Sequence, residues 1–237
     1  MWLNLLSLAV FALINVSAAA LKRCMPRTAK NTLRAVLAVL FFGNLFRYVY
    51  AYPKLVGEIH IPIEYSTVAY FLVPPLMFLD KGRCRVWASM YGLTAGFLYY
   101  MAMIIAANKL YADAPLYDVC ISYFCHGALY LNGVVVLSRE KVNNRDAANM
   151  MLCLLIISIR ALVLKKYAVD ADELFIYDVL GGNVMRMVMP ESSWHFTVPL
   201  YYIVLNLVIV MCLKGFLPKK ARKKRVKGND AVSDTGD

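Results

Sequence analysis

Charge is scarce in this chain, and so are the residues that usually bind metals. Charged residues make up only 17% of the 237 positions, against 61% hydrophobic, and mean hydropathy is +0.57. A soluble domain of this length could not hide so much apolar surface, whereas a bilayer core about 30 Å thick calls for it. The six cysteines (Cys24, Cys84, Cys120, Cys125, Cys153 and Cys212) include no CxxC pair, which argues against a disulfide framework and a zinc site. No metal or other cofactor is expected. Neither a repeat of 20–50 residues nor an inverted repeat of the transporter kind is visible.

What the chain has instead is a series of apolar runs about 20 residues long, enough to cross a bilayer as helices. They cover Trp2 to Ala20, Ala35 to about Val56, Ile61 to Leu79, Trp87 to Ala107, Tyr117 to Leu137, Ala147 to Leu164 and Phe196 to Leu217. The first ends in Ser17-Ala18-Ala19-Ala20, like a signal peptide. However, no basic residue precedes it, and Lys22, Arg23, Arg27, Lys30 and Arg34 follow, so it is expected to be retained. Lys and Arg concentrate in the loops after the odd-numbered runs. The positive-inside rule then predicts an all-α, polytopic bundle of about seven transmembrane helices, N-terminus out and C-terminus in. Residues 1–217 form a single transmembrane domain in this reading, and the expected location is the cell membrane.

Residues 218–237 form a cytoplasmic tail, first basic and then acidic, expected to be disordered. Its basic part is Lys219, Lys220, Arg222, Lys223, Lys224, Arg225 and Lys227, a large share of the net charge of +11. No aromatic residues interleave with these charges, so nucleic acid is not the expected partner. Anionic lipid headgroups are, at about 1 kcal/mol per basic residue near the surface.

Polar residues inside the spans are costly and need a reason. At 1.5 Å per residue, Ser66 and Thr67 lie about 8–9 Å below the outer end of the third run, with Glu64 just above them. His126 lies about 14 Å deep in the fifth run and Arg47 at a similar depth in the second. Asn183 and Arg186 approach from the outer loop, so the polar groups gather in one half of the bilayer. Plainer roles stand beside this one. Arg47 and Glu64 form an interhelical ion pair, Ser66 and Thr67 bond to their own helix carbonyls, and His126 packs against Asn44 or a tyrosine. Asn132 joins helices, and Tyr99, Tyr100, Tyr111 and Tyr117 form an interfacial aromatic belt.

Two stretches resemble the YwaF-like family of bacterial integral membrane proteins, whose eukaryotic relatives include an acyltransferase acting on ether phospholipids. Ile61-Pro62-Ile63-Glu64-Tyr65-Ser66 is similar to the family's Leu-Pro-Leu-His-Leu-Cys motif. Tyr123-Phe124-Cys125-His126-Gly127 is similar to its Tyr-Phe-x-His-Gly, and Asn183-Val184-Met185 to its Asn-Tyr-Met. The resemblance implies a nucleophile at Ser66, where the family has cysteine, and its partner at His126. Glu64 stands where the family has histidine, so the resemblance implies either a divergent enzyme or a catalytically dead relative.

Three functions follow. In the first, a membrane-embedded acyltransferase or lipid hydrolase attacks acyl esters of outer-leaflet phospholipids. His126 takes the proton of Ser66 (or Thr67), Glu64 orients the imidazole, and Arg47, Asn183 or Arg186 holds the phosphate. In the second, the chain is a non-catalytic scaffold or lipid-binding protein. The third is a small-solute transporter, which the thinly polar inner half argues against.

Overall fold

A computed structural model describes residues 2–55, 65–79, 83–112, 114–140, 142–143, 145–146, 148–150, 152–153, 156, 159–160 and 163. Among these, all regular structure is helical. Helix α1 is Trp2–Arg23 and α2 is Pro26–Phe46, which continues as a π-helical segment, Arg47–Ala51, and a short helix α3, Tyr52–Leu55. Then come α4 (Tyr65–Leu79), α5 (Cys84–Leu110) and α6 (Leu116–Leu137). Among the described residues, four helices are long and apolar enough to cross a membrane: α1, α2 with its π-helical extension, α5 and α6. Helix α4 is apolar but shorter, with Pro74 and Pro75 inside it. The expected sixth span is described only at isolated helical positions. The seventh span and the tail lie outside the described residues.

The helices run further than the apolar runs that announce them. Helix α2 begins at Pro26, in the first-turn position that proline suits, so Arg27, Lys30 and Arg34 form its opening turns. Helix α5 gains a turn at each end beyond Trp87 to Ala107. Hydropathy detects the part of a helix that meets lipid, while backbone hydrogen bonding carries the helix on into polar surroundings.

Helices α5 and α6 form the centre of the bundle, because glycines let their backbones meet. A Cβ on Gly96 would lie 2.6 Å from the His126 carbonyl oxygen and from Tyr130 Cβ, and one on Gly133 would lie 2.6 Å from Leu93 Cβ. Gly92 and Gly96 make a GxxxG pair, a small-residue spacing that supports close helix packing in lipid. Asn132 Nδ2 donates to Ser89 Oγ across this seam at 3.4 Å, in the helix-joining role expected for it.

Polar clasps hold the helix ends, where backbone groups lack helical partners. Asn4 Nδ2 donates to the carbonyls of Ile104 and Ile105, and Asn108 returns the bond through its backbone N–H and its side chain to Asn4 Oδ1. At the other end, Arg139 donates to the carbonyls of Leu21, Lys22 and Cys24, placing a cation on the C-terminus of α1. There, too, buried Asp146 accepts from Arg83 and from Trp87 Nε1, and Arg85 pairs with Glu140.

Candidate functional site

His126 lies on α6 facing α4 and α5, within the glycine-thinned seam. Its ring stacks on Tyr99 with centroids 3.6 Å apart and planes 8° from parallel, and Tyr70 meets it edge-on at 5.5 Å. Nδ1 lies 2.9 Å from the Ser122 carbonyl oxygen. A carbonyl only accepts, so Nδ1 carries the proton and Nε2 accepts from the Tyr70 hydroxyl at 3.1 Å. The packed-histidine role was expected with Asn44 or a tyrosine, and the partner is a tyrosine. Tyr100 donates to the Tyr123 carbonyl at 2.8 Å and is fully buried. Tyr100 is therefore a core residue with partly buried Tyr99 packed against that core, rather than part of an interfacial belt, while Tyr117 is exposed. Helix rotation, which hydropathy does not report, turns the first two inward.

Ser66 and Thr67 occupy the first turn of α4 and are half-buried. Ser66 is four residues before Tyr70, so the two share a helix face, and Tyr70 is the member that reaches the imidazole. Among the described residues, the hydrogen-bond partners of His126 are Tyr70 and Ser122. Glu64, Asn183 and Arg186 lie outside the described residues.

Arg47 sits elsewhere, beside Asp118 near the start of α6. It opens the π-helical segment, a local widening often found at functional positions. Its Nη2 is 2.9 Å from Asp118 Oδ1, and the two side chains are 26% and 30% exposed. Asp118 belongs to the first turn of α6, where the helix dipole favours an anion. The sequence carried a signal for this partner: Asp118 is the one acidic residue in an otherwise uncharged run.

Below the ion pair, a cavity of about 430 Å³ runs between α2 and α6, within the size range of small-molecule sites. Val39, Leu40, Phe46, Ile121 and Phe124 give it an apolar wall, and Gly43, Asn44 and Cys125 line it as well. Phe46, Phe124 and Tyr117 along its edge are exposed, so among the described residues it opens sideways from the bundle. Asp118 and Cys125 are about 10 Å apart along α6, which sets the depth.

At that depth Asn44 is buried. Its Nδ2 donates to the Leu40 carbonyl at 2.9 Å and to Cys125 Sγ at 3.3 Å. Its Oδ1 has no donor among the described residues. An unsatisfied buried acceptor costs about 1–3 kcal/mol. Cys125 thus faces the cavity while its neighbour His126 faces the seam, as the 100° step between successive helix residues requires. Among the described residues, no group of histidine, cysteine and carboxylate side chains could hold a metal ion. No protein-family model, curated protein or solved structure matches the chain.

Proposed function

We propose that the protein is a multi-pass cell-membrane protein that binds a phospholipid in the cavity between α2 and α6. The observation that carries this reading is the cavity's make-up. Its wall is apolar, its side is open, and a guanidinium–carboxylate pair stands at its mouth. An acyl chain fits such a wall, at about 0.8 kcal/mol per buried methylene. The headgroup then meets Arg47, whose five N–H donors suit phosphate oxygens, and Asp118, which suits an ammonium. With seven spans, N-terminus out, this mouth opens toward the outer leaflet. The basic segment Lys219 to Lys227 meets anionic headgroups on the cytoplasmic side. Reporter fusions at Lys227 and Asp113 are expected on opposite sides of the membrane, and finding both on one side defeats this orientation.

Gly43 provides the decisive variant. Among the described residues a Cβ there meets nothing within 4 Å, so Gly43→Leu starts its side chain in open space toward the cavity and improves helix propensity. Protein purified in mild detergent is expected to carry phospholipid detectable by native mass spectrometry, and Gly43→Leu to lose most of it. Equal phospholipid on both proteins counts against the cavity as the binding site.

One observation favours the catalytic reading as the second. The α4 face that bears Ser66 reaches His126 through Tyr70, so acyl transfer or hydrolysis by Ser66 (or Thr67), with His126 as base, has both groups on neighbouring helices. This keeps the resemblance to the YwaF-like acyltransferase relatives as an expectation. Lipidomics of cells with Ser66→Ala/Thr67→Val or His126→Ala tests it. Lost lipid turnover supports the chemistry, and unchanged turnover leaves the binding reading alone.

A further inference from the structure

We infer that the turn between α1 and α2 is a docking surface for an anionic phospholipid, held by Lys22, Arg23 and Arg27. This surface is separate from the cavity and goes beyond the reading proposed for it. From Arg27 to Arg47 the helical stretch rises about 30 Å, so the two places lie at opposite ends of α2.

Helix α1 ends at Arg23 and α2 begins at Pro26, with Cys24 and Met25 between them. The three cations therefore share one tight corner, and all three are exposed. Counter-charges at this end are already engaged. Asp146 pairs with Arg83 and Glu140 with Arg85, and the first turn of α2 holds no acidic residue. The C-terminus of α1 would also attract cations, but Arg139 takes the carbonyls of Leu21, Lys22 and Cys24. Among the described residues, no carboxylate pairs with Lys22, Arg23 or Arg27. Like charges so close repel one another, so an anion at the corner relieves repulsion as well as adding attraction.

Position makes that anion a lipid. Both helices leading into the corner are long and apolar enough to cross a membrane, which puts the corner at headgroup level, where a basic cluster draws anionic lipid. Met25 in the turn is 73% exposed, an apolar side chain suited to the edge of the acyl region. A two-residue turn is too small a face for a soluble protein partner, which needs about 800 Å² on each side.

The test reads the lipid retained by full-length protein in mild detergent, offered equal phosphatidylglycerol and phosphatidylcholine and counted by native mass spectrometry. Wild type is expected to prefer phosphatidylglycerol. Lys22→Gln, Arg23→Gln and Arg27→Gln are each expected to weaken its retention about fivefold, the effect of one basic residue near an anionic surface. The cavity and the segment Lys219 to Lys227 are unchanged in these variants, so lipid held there cancels against wild type. Each single variant keeps four of the five basic residues Lys22, Arg23, Arg27, Lys30 and Arg34, which preserves the charge bias that orients insertion. Wild-type retention of phosphatidylglycerol in all three variants overturns the inference. An equal fall of both lipids overturns it too, since the turn then does not discriminate by charge. Inorganic phosphate separates the sources: if phosphate displaces phosphatidylglycerol where chloride at the same ionic strength does not, the site is one for free phosphate and the lipid assignment fails.

Discussion

The two sides of α6 are packed differently, one closed by glycines and the other beside a cavity. On the seam side, His126 is enclosed by Tyr70, Tyr99 and the Ser122 carbonyl, both ring nitrogens are satisfied, and glycines on α5 close the remaining space. On the cavity side, Asn44 keeps an oxygen without a donor beside about 430 Å³ of open volume, and Gly43 faces empty space. A satisfied, close-packed polar group holds helices together, and its partners account for its presence. An unsatisfied buried acceptor costs stability, and among the described residues Asn132 Oδ1 in the seam shares that state with Asn44 Oδ1, so the two sides differ in open volume rather than in polar satisfaction.

Paired substitutions can break this comparison. The largest effect is expected from Gly96→Leu, whose Cβ would collide with the His126 carbonyl and Tyr130. Overpacking against backbone costs about 3 kcal/mol or more, read as lost monodisperse yield or a lower Tm in detergent. A native-like Tm would mean that the seam is looser than its glycines imply.

The next effect concerns charge. Arg47→Met or Asp118→Leu alone leaves one ion in a partly buried site, at about 1–3 kcal/mol. The double variant should recover part of that loss, because both charges leave together. Additive losses in a double-mutant cycle would show that the pair is not coupled.

His126→Phe comes third. The new ring can still stack on Tyr99 but removes the imidazole that Tyr70 bonds, for about 1 kcal/mol, and Tyr70→Phe in the same protein should add little further loss. Smallest is Gly43→Leu, expected to be neutral or up to about 1 kcal/mol stabilising while the bound phospholipid is lost. A marked destabilisation by Gly43→Leu would erase the contrast with Gly96→Leu.

Particular residues show how much could be read in advance. The fifth apolar run, Tyr117 to Leu137, is within one residue of helix Leu116–Leu137, because a membrane span must satisfy its backbone internally and its length is set by the bilayer. The GxxxG of Gly92 and Gly96 is legible too, although it reads as a packing face only once α6 is seen against it. The acid beside Arg47 was sought at Glu64, which lies outside the described residues. The acid found there, Asp118, stands 71 positions away on α6. The resemblance pairs Ser66 with His126 and depth puts both in one half of the bilayer, but neither fixes helix rotation, and it is Tyr70 that turns toward the imidazole.

The amino-acid sequence alone thus determines the apolar surroundings, the helical class and the approximate position of the described spans, since these depend on local apolar content and length. Which side of each helix faces inward is decided by the tertiary structure. Tyr100 turns into the core with Tyr99 against it, Cys125 and His126 point about 100° apart on α6, and Asn44 lines the cavity while bonding Leu40 and Cys125. The reason is geometric. Each residue along a helix rotates its side chain by about 100°, so the neighbours of any polar group depend on how several helices pack together, and hydropathy averaged around a helix carries no record of that rotation.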